Sequence, residues 1–486
     1  MRAFQSIFVA LFLLLFSATV WSQSSLKRSS ISFSRKAKKK EVTVIRSLYK
    51  KGLVFSSALM LKRHLQQRRR LTKSLEKLMV KLILTGGMTS FAGLRESVFE
   101  YYRKSPAISY IFGLKLFQMG KIEESIEALK KIPSSHPLAP ESYLIFGAAS
   151  LLKKKYATAN RYYTGCWKLA ERGLARSQNR SSQIYFTSIG EKCMTHRARL
   201  FYERKEYEKA LDAWALIPKT SSEWPYLLLE KAWAYYQIKD YNRVLGLLTT
   251  YNSPLLKSYF LPETEVLKAL SYVKLCLWGE SNDIVKAYHT DHLKVFKQMK
   301  KILIRHKDSS TYFLKLMSIS PERQEKLNPF IRNLAVRIGK RPRFVLEFFA
   351  LKKLTREYKS LRKSSSTKTV RILRKSLRRL LVKNRRYLNS YVKMQMFSFL
   401  AKMRYFAHEM SNINLKIISQ KREGIYRGED ITNERLLGSL ENVQRTSQQY
   451  FYSFDGEFWA DELGDYSFGL KSNCREQQKE GNDDEE

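Results

Sequence analysis

Residues that interrupt helices are scarce in this 486-residue chain, with only 20 Gly and 11 Pro. So few turn residues over this length argue against an all-β sandwich or barrel, which needs a turn every few residues. No series of alternating strands separated by turn signals is present either. Cysteine occurs four times, at Cys166, Cys193, Cys276 and Cys474. That spacing gives no disulfide framework, and Cys166 and Cys276 read as small buried hydrophobes. Cys193 with His196, and His289 with His292, have ligand-like spacing, but each pair stands alone, so neither a metal nor another cofactor is expected. Gly-x-Ser-x-Gly, His-Glu-x-x-His and Walker-type loops are missing, which removes the common hydrolase, metalloprotease and nucleotide-cleaving signatures. Acidic residues are also in deficit: 44 Asp plus Glu face 89 Lys plus Arg, for a formal net charge of +45.

What the chain does have is 44% hydrophobic residues, much of them at helical spacing, and a recurrence. Gly113 and Gly147 are 34 residues apart, as are Ala198 and Ala232, and Tyr207 and Tyr241. Each anchor falls at the same place in a paired-helix pattern. One unit spans about 107–133, with Gly113, a turn at Gly120, then Ser125 and Leu129. The next carries Tyr143, Gly147, Tyr156, Ala159 and Tyr163. A third carries Ala198, Phe201, Tyr207, Ala210 and Trp214, and a fourth Ala232, Tyr235, Tyr241 and Val244. A weaker fifth follows with Ala269, Tyr272 and Trp278. The interval from Tyr156 to Tyr207 is one and a half periods, which predicts a lengthened second helix or an insertion at 172–188.

A small residue in the first helix, an aromatic after the turn and a small residue early in the second helix resemble the tetratricopeptide repeat. Small residues let the two helices of a hairpin approach, and large ones fill the gap to the next. The expected fold is all-α: a tetratricopeptide-like helical-hairpin solenoid followed by long basic helices. Stacked hairpins bind partners along an extended surface. Tyr156, Tyr207, Trp214, Trp233 and Tyr241 are candidate partner-binding aromatics there, against the alternative that they pack internally.

The first residues read as an address. Arg2 precedes an apolar run at 7–16, and small residues follow near Ser22, so 1–22 is expected to be a cleaved secretory signal peptide. Lys27 and Arg28 keep a retained anchor open as the alternative. No later segment reaches about 18 uninterrupted apolar residues, the minimum for a membrane-spanning helix. Export into the periplasm changes what the positive charge implies. In the cytosol it would point to nucleic acid; outside, the anionic neighbours are phospholipid headgroups, cell-wall polymers and acidic proteins. No nucleic-acid motif is present, and no nucleic-acid partner is expected.

Between the ends the chain divides by composition. Residues 23–93 form a basic segment, with 24–40 expected to be disordered and two basic helices after it; 94–304 hold the repeats. Residues 305–450 form a basic helical region. From 341 to 390 there are 17 Lys or Arg, against only Glu347 and Glu357. Val370, Leu373, Leu377 and Leu381 keep helical spacing, so long amphipathic helices are expected, interrupted at 364–366. Arg374, Lys375, Arg378 and Arg379 are candidates for contact with an anionic surface, against the alternative of a helical cap on the solenoid.

Residues 451–474 reverse the charge. Phe454-Asp455-Gly456-Glu457-Phe458-Trp459-Ala460-Asp461-Glu462-Leu463-Gly464-Asp465-Tyr466 is acidic and aromatic, and 475–486 is an acidic tail expected to be disordered. The segment folds back on the basic helices through Phe458, Trp459, Leu463 and Tyr466, or presents a docking motif to a partner; charge abundance favours the first. Asp455, Glu457, Trp459, Asp461 and Glu462 are the candidate partner-binding residues. This segment resembles the closing segment of a family of exported tetratricopeptide-repeat proteins in the envelope-spanning machinery of gliding and predatory bacteria. Those proteins end with Phe-Asp-Gly-Glu-Phe/Tyr-Trp-x-Asp-Glu-Leu-Gly-x-Tyr and a nearby Cys, matched here by Cys474. The resemblance implies a periplasmic, noncatalytic structural subunit of a gliding-motility complex, binding other cell-envelope proteins. A cell-wall or anionic-lipid binding protein is the second reading. A peptidoglycan-acting enzyme ranks third, because glycan cleavage needs carboxylates placed in a compact site and no catalytic domain follows the repeats.

Overall fold

The computed structural model describes residues 35–474, apart from 92, 179, 320–322, 324, 364–366, 428–438, 444 and 446–448. The expected signal peptide and the acidic tail lie outside the described residues. Every regular element among the described residues is helical, and the fold is all-α with tandem helical hairpins followed by long basic helices. Contacts divide the chain into two compact units. The first comprises 1–200 and 346–387, and the second comprises 201–345 and 388–486.

The hairpins of the first unit are α1 (Arg35–Lys50) with α2 (Val54–Gln66), α6 (Pro106–Gln118) with α7 (Ile122–Leu129), and α8 (Ala139–Leu152) with α9 (Tyr156–Ala175). Between the first two pairs lie α3 (Lys73–Leu82), α4 (Met88–Phe91) and α5 (Glu96–Tyr101). Helix α10 (Arg180–Glu203) ends at the turn before α11 (Tyr207–Ala215). The second unit continues with α12 (Trp224–Gln237) and α13 (Tyr241–Thr249), then α14 (Pro262–Lys274) and α15 (Trp278–Ala287).

One local design recurs in these hairpins. The turn residue stands seven positions after the small residue of the first helix and takes a left-handed conformation: Gly120 (φ 76°), Lys154 (55°), Lys205 (62°), Lys239 (67°) and Cys276 (56°). A positive φ reverses the chain tightly enough for the second helix to return against the first. Twelve positions after the small residue comes Ser125, Ala159, Ala210, Val244 or Ser281, all buried. Where that residue is serine, its hydroxyl reaches back: Ser125 Oγ donates to Gly113 O at 2.8 Å, and Ser281 Oγ to Ala269 O at 3.0 Å. The small residue is required at Gly147, where a Cβ would sit 2.4 Å from Tyr163 Cε1.

The α1–α2 pair obeys the same rule, which the sequence did not reveal. Gly52 has φ 74°, and Ser57 Oγ donates to Ile45 O at 2.8 Å, again twelve residues back. Residues 35–40, expected to be disordered, instead open α1. Lys and Arg are good helix formers, and the run continues directly into the apolar spacing of 41–50.

The longer interval between the second and third units appears as two long helices, α9 with 20 residues and α10 with 24. Cys166 and Cys193 form a disulfide between them, with Cα atoms 5.9 Å apart. Cys276 is bonded to Cys474. All four cysteines are therefore paired, correcting the expectation of free thiols. Both pairs join residues far apart in sequence, which spacing alone could not show.

The basic region forms α16 (Leu293–Arg305), α17 (Tyr312–Leu316), α18 (Pro329–Lys340), α19 (Pro342–Lys363) and the 59-residue α20 (Lys368–Tyr426). An apolar stripe on α20 is buried throughout. In the first unit it comprises Leu373, Leu377 and Leu381; in the second, Leu388, Val392, Met396, Phe399, Met403, Phe406 and Met410. This spacing of three and four is the buried face of a single amphipathic helix.

Several of the region's charges act internally. In the first unit, Glu357 on α19 accepts from Phe55 N (3.1 Å), Ser56 N (3.0 Å) and Ser56 Oγ (2.9 Å). It supplies the cap that Leu53 lacks at the start of α2. In the second unit, Arg337 Nη1 donates to Phe260 O at 2.8 Å and its guanidinium lies 5.2 Å from the Phe399 ring centre. Arg341 donates to Tyr226 Oη at 3.3 Å and stacks on the same ring. Arginine suits such burial because its flat, weakly hydrated cation can rest on aromatic faces.

Candidate partner-binding site

The C-terminal segment belongs to the second unit and falls into two parts. Residues 463–474 form an extended strap laid on α13 and its neighbours. Leu463 and Leu470 are buried. Gly464, with φ 89°, packs beside Trp224 and Leu228 and donates its N–H to Thr250 Oγ1 at 3.2 Å. Phe468 N donates to Asn242 O at 3.1 Å. The Asn242 carboxamide grips the next stretch twice: Nδ2 donates to Leu470 O and Oδ1 accepts from Leu470 N, both at 3.0 Å. Asn473 N donates to Leu275 O at 2.9 Å, immediately before the Cys276–Cys474 bond. Leu470 joins Tyr241, Leu245, Tyr272, Leu275 and Leu277 in one cluster, with Phe468 packed against it.

The strap thus folds back, but onto the repeat hairpins rather than onto the basic helices as charge balance had led one to expect. Backbone hydrogen bonds and apolar seats set its position, and a salt bridge joins Lys219 Nζ to Asp465 Oδ2 at 2.7 Å. Asp465 also counteracts the burial that lowers the pKa of the Lys231 ammonium.

The other part, 450–462, precedes the strap, and Lys219 Nζ donates to its Asp461 O. Phe454, Phe458 and Tyr466 close the loop as a cluster of edge-on rings with centroids 5.2 to 5.7 Å apart. Gly456, at φ 94°, turns the chain between them. Asp455, Glu457, Asp461 and Glu462 are all exposed, and among the described residues no salt bridge reaches any of them. Trp459 is 60% exposed and Tyr452 87%. Trp459 is therefore not an anchor of the strap, which corrects that expectation; Leu463 and Leu470 take that role.

The five repeat aromatics separate likewise. Trp214 is 1% exposed, and Trp233 and Tyr241 are buried, so their surfaces are taken up by packing and the expectation that they meet a partner is corrected. Trp233 Nε1 donates to Glu263 Oε1 at 2.9 Å; burial raises the pKa of that carboxyl, against the pull of Lys402 and this hydrogen bond. Tyr207 is half-buried, edge-on to Tyr202 with centroids 5.3 Å apart. Tyr156 is half-buried at the start of α9. Among the candidate cations, Lys375, Arg378 and Arg379 are exposed, whereas Arg374 is half-buried and its Nε donates to Leu361 O at 2.8 Å. Arg374 holds α19 and α20 together within the first unit and is corrected to an internal role.

Cys193 is bonded to Cys166, so its pairing with His196 is not a ligand pair. Among the described residues no group of three or more His, Cys, Asp or Glu is placed to hold a metal ion, and no helix is long and apolar enough to cross a membrane. An open recess of about 370 Å³ beside the start of α14 is lined by Tyr251, Tyr259, Phe260, Lys257, Lys268 and Glu265. Its carboxylate is held by Lys268 at 3.1 Å.

No family model matches the chain. No curated protein matches it. Among solved structures, one titled "Crystal Structure of the Apo Form of RapI" is similar over 73% of this chain and 99% of that chain, at 11% identity and a TM-score of 0.35. A likeness at that score is too slight to argue from, and the fold rests on the hairpin geometry above. Sequence reading missed Asn242, Gly246 and Thr250, which receive the strap. Their spacing of four, along one face of α13 and just past its end, was visible, but nothing in it marked what would lie there.

Proposed function

We propose that this protein is a noncatalytic scaffold that binds other proteins, exported to the periplasm and working within a cell-envelope assembly of the gliding-motility type. The observation that carries the reading is the 450–462 loop: four exposed carboxylates that no salt bridge reaches among the described residues, and exposed aromatic rings, in a chain of net charge +45 and joined to a strap fastened to the repeats. Exposed aromatic anchors among charges are what a protein partner with a basic, apolar-lined surface would recognise. Tandem helical hairpins supply the rigid support that such a display needs. Export is supported by the basic-then-apolar start of the chain and by the pairing of all four cysteines, since disulfides persist in oxidising compartments. The gliding-motility assignment draws on the resemblance of 454–466.

Crosslinked pull-down from cells carrying full-length protein tests this reading. Replacing Asp455, Glu457, Asp461 and Glu462 by Lys together with Trp459→Ala is expected to remove specific envelope proteins from the recovered set. Unchanged recovery would sink the proposal. A second reading, contact with anionic lipid or cell-wall polymer, is favoured by one observation: Lys375, Arg378 and Arg379 are exposed on neighbouring turns of α20.

A further inference from the structure

We propose that the face of α13 bearing Asn242 and Gly246, continued by Thr250 just beyond its end, is a binding site for extended peptide segments of partner proteins, and that residues 463–474 of the chain occupy it in cis. This rests on the scaffold reading and names the place where a partner's chain enters. The strap is the site's own stand-in for that ligand. Asn242 holds Leu470 through both backbone groups, a grip that recognises an extended backbone whatever its side chains. Gly246 admits the backbone itself: a Cβ there would lie 2.0 Å from Tyr466 O. Phe468 and Leu470, two apart as in an extended chain, both turn to the cluster of Tyr241, Leu245, Tyr272 and Leu275. The ligand class is therefore an extended segment with apolar residues at alternate positions.

The occupant is latched covalently. Cys474 is bonded to Cys276, the left-handed turn residue of the α14–α15 hairpin. A dithiol reductant that gives up two electrons and two protons closes its own disulfide and leaves Cys276 and Cys474 as thiols. The strap then depends on a few hydrogen bonds and two apolar seats, and an incoming segment competes with it on equal chemical terms.

The test uses full-length protein and a fluorescent peptide of residues 463–473. Leu470→Asp with Cys474→Ser ejects the strap while leaving Cys166–Cys193 in place. This variant is expected to bind the peptide at least tenfold more tightly than the disulfide-closed protein, and adding Asn242→Ala is expected to weaken binding tenfold again. Circular dichroism checks that each variant keeps its helices. A helical strap-ejected variant that ignores the peptide, or binding indifferent to Asn242, overturns the proposal. Hydrogen exchange on the wild-type protein gives an independent reading. The Phe468 and Leu470 amides are expected to exchange at least tenfold faster after dithiothreitol, and unchanged exchange overturns the latch. Partner capture through 450–462 that persists alongside either failure leaves the scaffold reading standing and removes only this one.

Discussion

A single methyl group at position 246 is enough to test how the C-terminal strap is held. Helix α13 gains from Gly246→Ala in isolation, by about 1 kcal/mol of helix propensity. The new Cβ, however, meets Tyr466 O at 2.0 Å and Ser467 Cα at 2.6 Å, backbone atoms that cannot rotate away. Overpacking of this kind costs roughly 1–3 kcal/mol, so the strap is expected to lift. Accelerated exchange at the Phe468 amide with α13 still protected is the outcome that checks it. His196 is a second residue whose surroundings decide its chemistry. Burial, then Arg199 and Lys192, lowers its pKa to about 3, and its ring stacks on Tyr163. The unfolded chain takes up a proton here below about pH 6.5, whereas the folded chain does so only near pH 3. Stability is therefore fully present above pH 6.5 and is lost as pH falls through that window, by at most about 1.4 kcal/mol per pH unit. Urea midpoints at pH 7 and pH 5 are expected to differ less in His196→Gln than in the wild type; equal losses would contradict this origin. Neither residue's role was legible in the sequence, because Gly246 is met by Tyr466 and His196 stacks on Tyr163, neighbours distant along the chain.

At the scale of the helical elements the sequence was far more readable. Hairpin packing needs a small residue at one place and a reversal seven residues later, and these are local demands that leave a period in the chain. The α1–α2 hairpin escaped notice because its first-helix position is Ile45 rather than Gly or Ala, although Gly52 and Ser57 keep the register. Its cap was out of reach for the same reason that the strap was. Glu357 stands 301 and 302 residues from the N–H groups of Ser56 and Phe55 that it receives. Glu357→Ala would leave those two donors and the Ser56 hydroxyl buried without this acceptor, at a cost of roughly 1–3 kcal/mol. Chemical denaturation of the full chain is expected to show that loss, with exchange at the start of α2 rising first; Glu357→Gln is expected to recover part of it, since one amide oxygen still accepts.

For the whole molecule the central quantity is the +45 charge, which was plain in the composition while its uses were not. Arg337 is buried and Arg341 half-buried on aromatic faces, Arg374 fastens one helix to the next, and only part of the excess stands in water. An anionic surface can be met only by that remaining part. Lys375, Arg378 and Arg379 lie in α20, whose apolar stripe is already buried by Leu373, Leu377 and Leu381, so contact there would be made through charge without insertion. Attraction of this type fades over about 8–10 Å at physiological ionic strength. Reversing Lys375, Arg378 and Arg379 to Glu, with Arg374 left in place to preserve its bond to Leu361, is expected to lower co-sedimentation with phosphatidylglycerol vesicles at least tenfold at low salt. Binding of the wild type should fall on raising the salt, while neutral phosphatidylcholine vesicles should recover neither protein. A triple variant that sediments like the wild type at low salt would remove this stripe as a surface contact and leave the exposed acidic loop as the chain's outward-facing site.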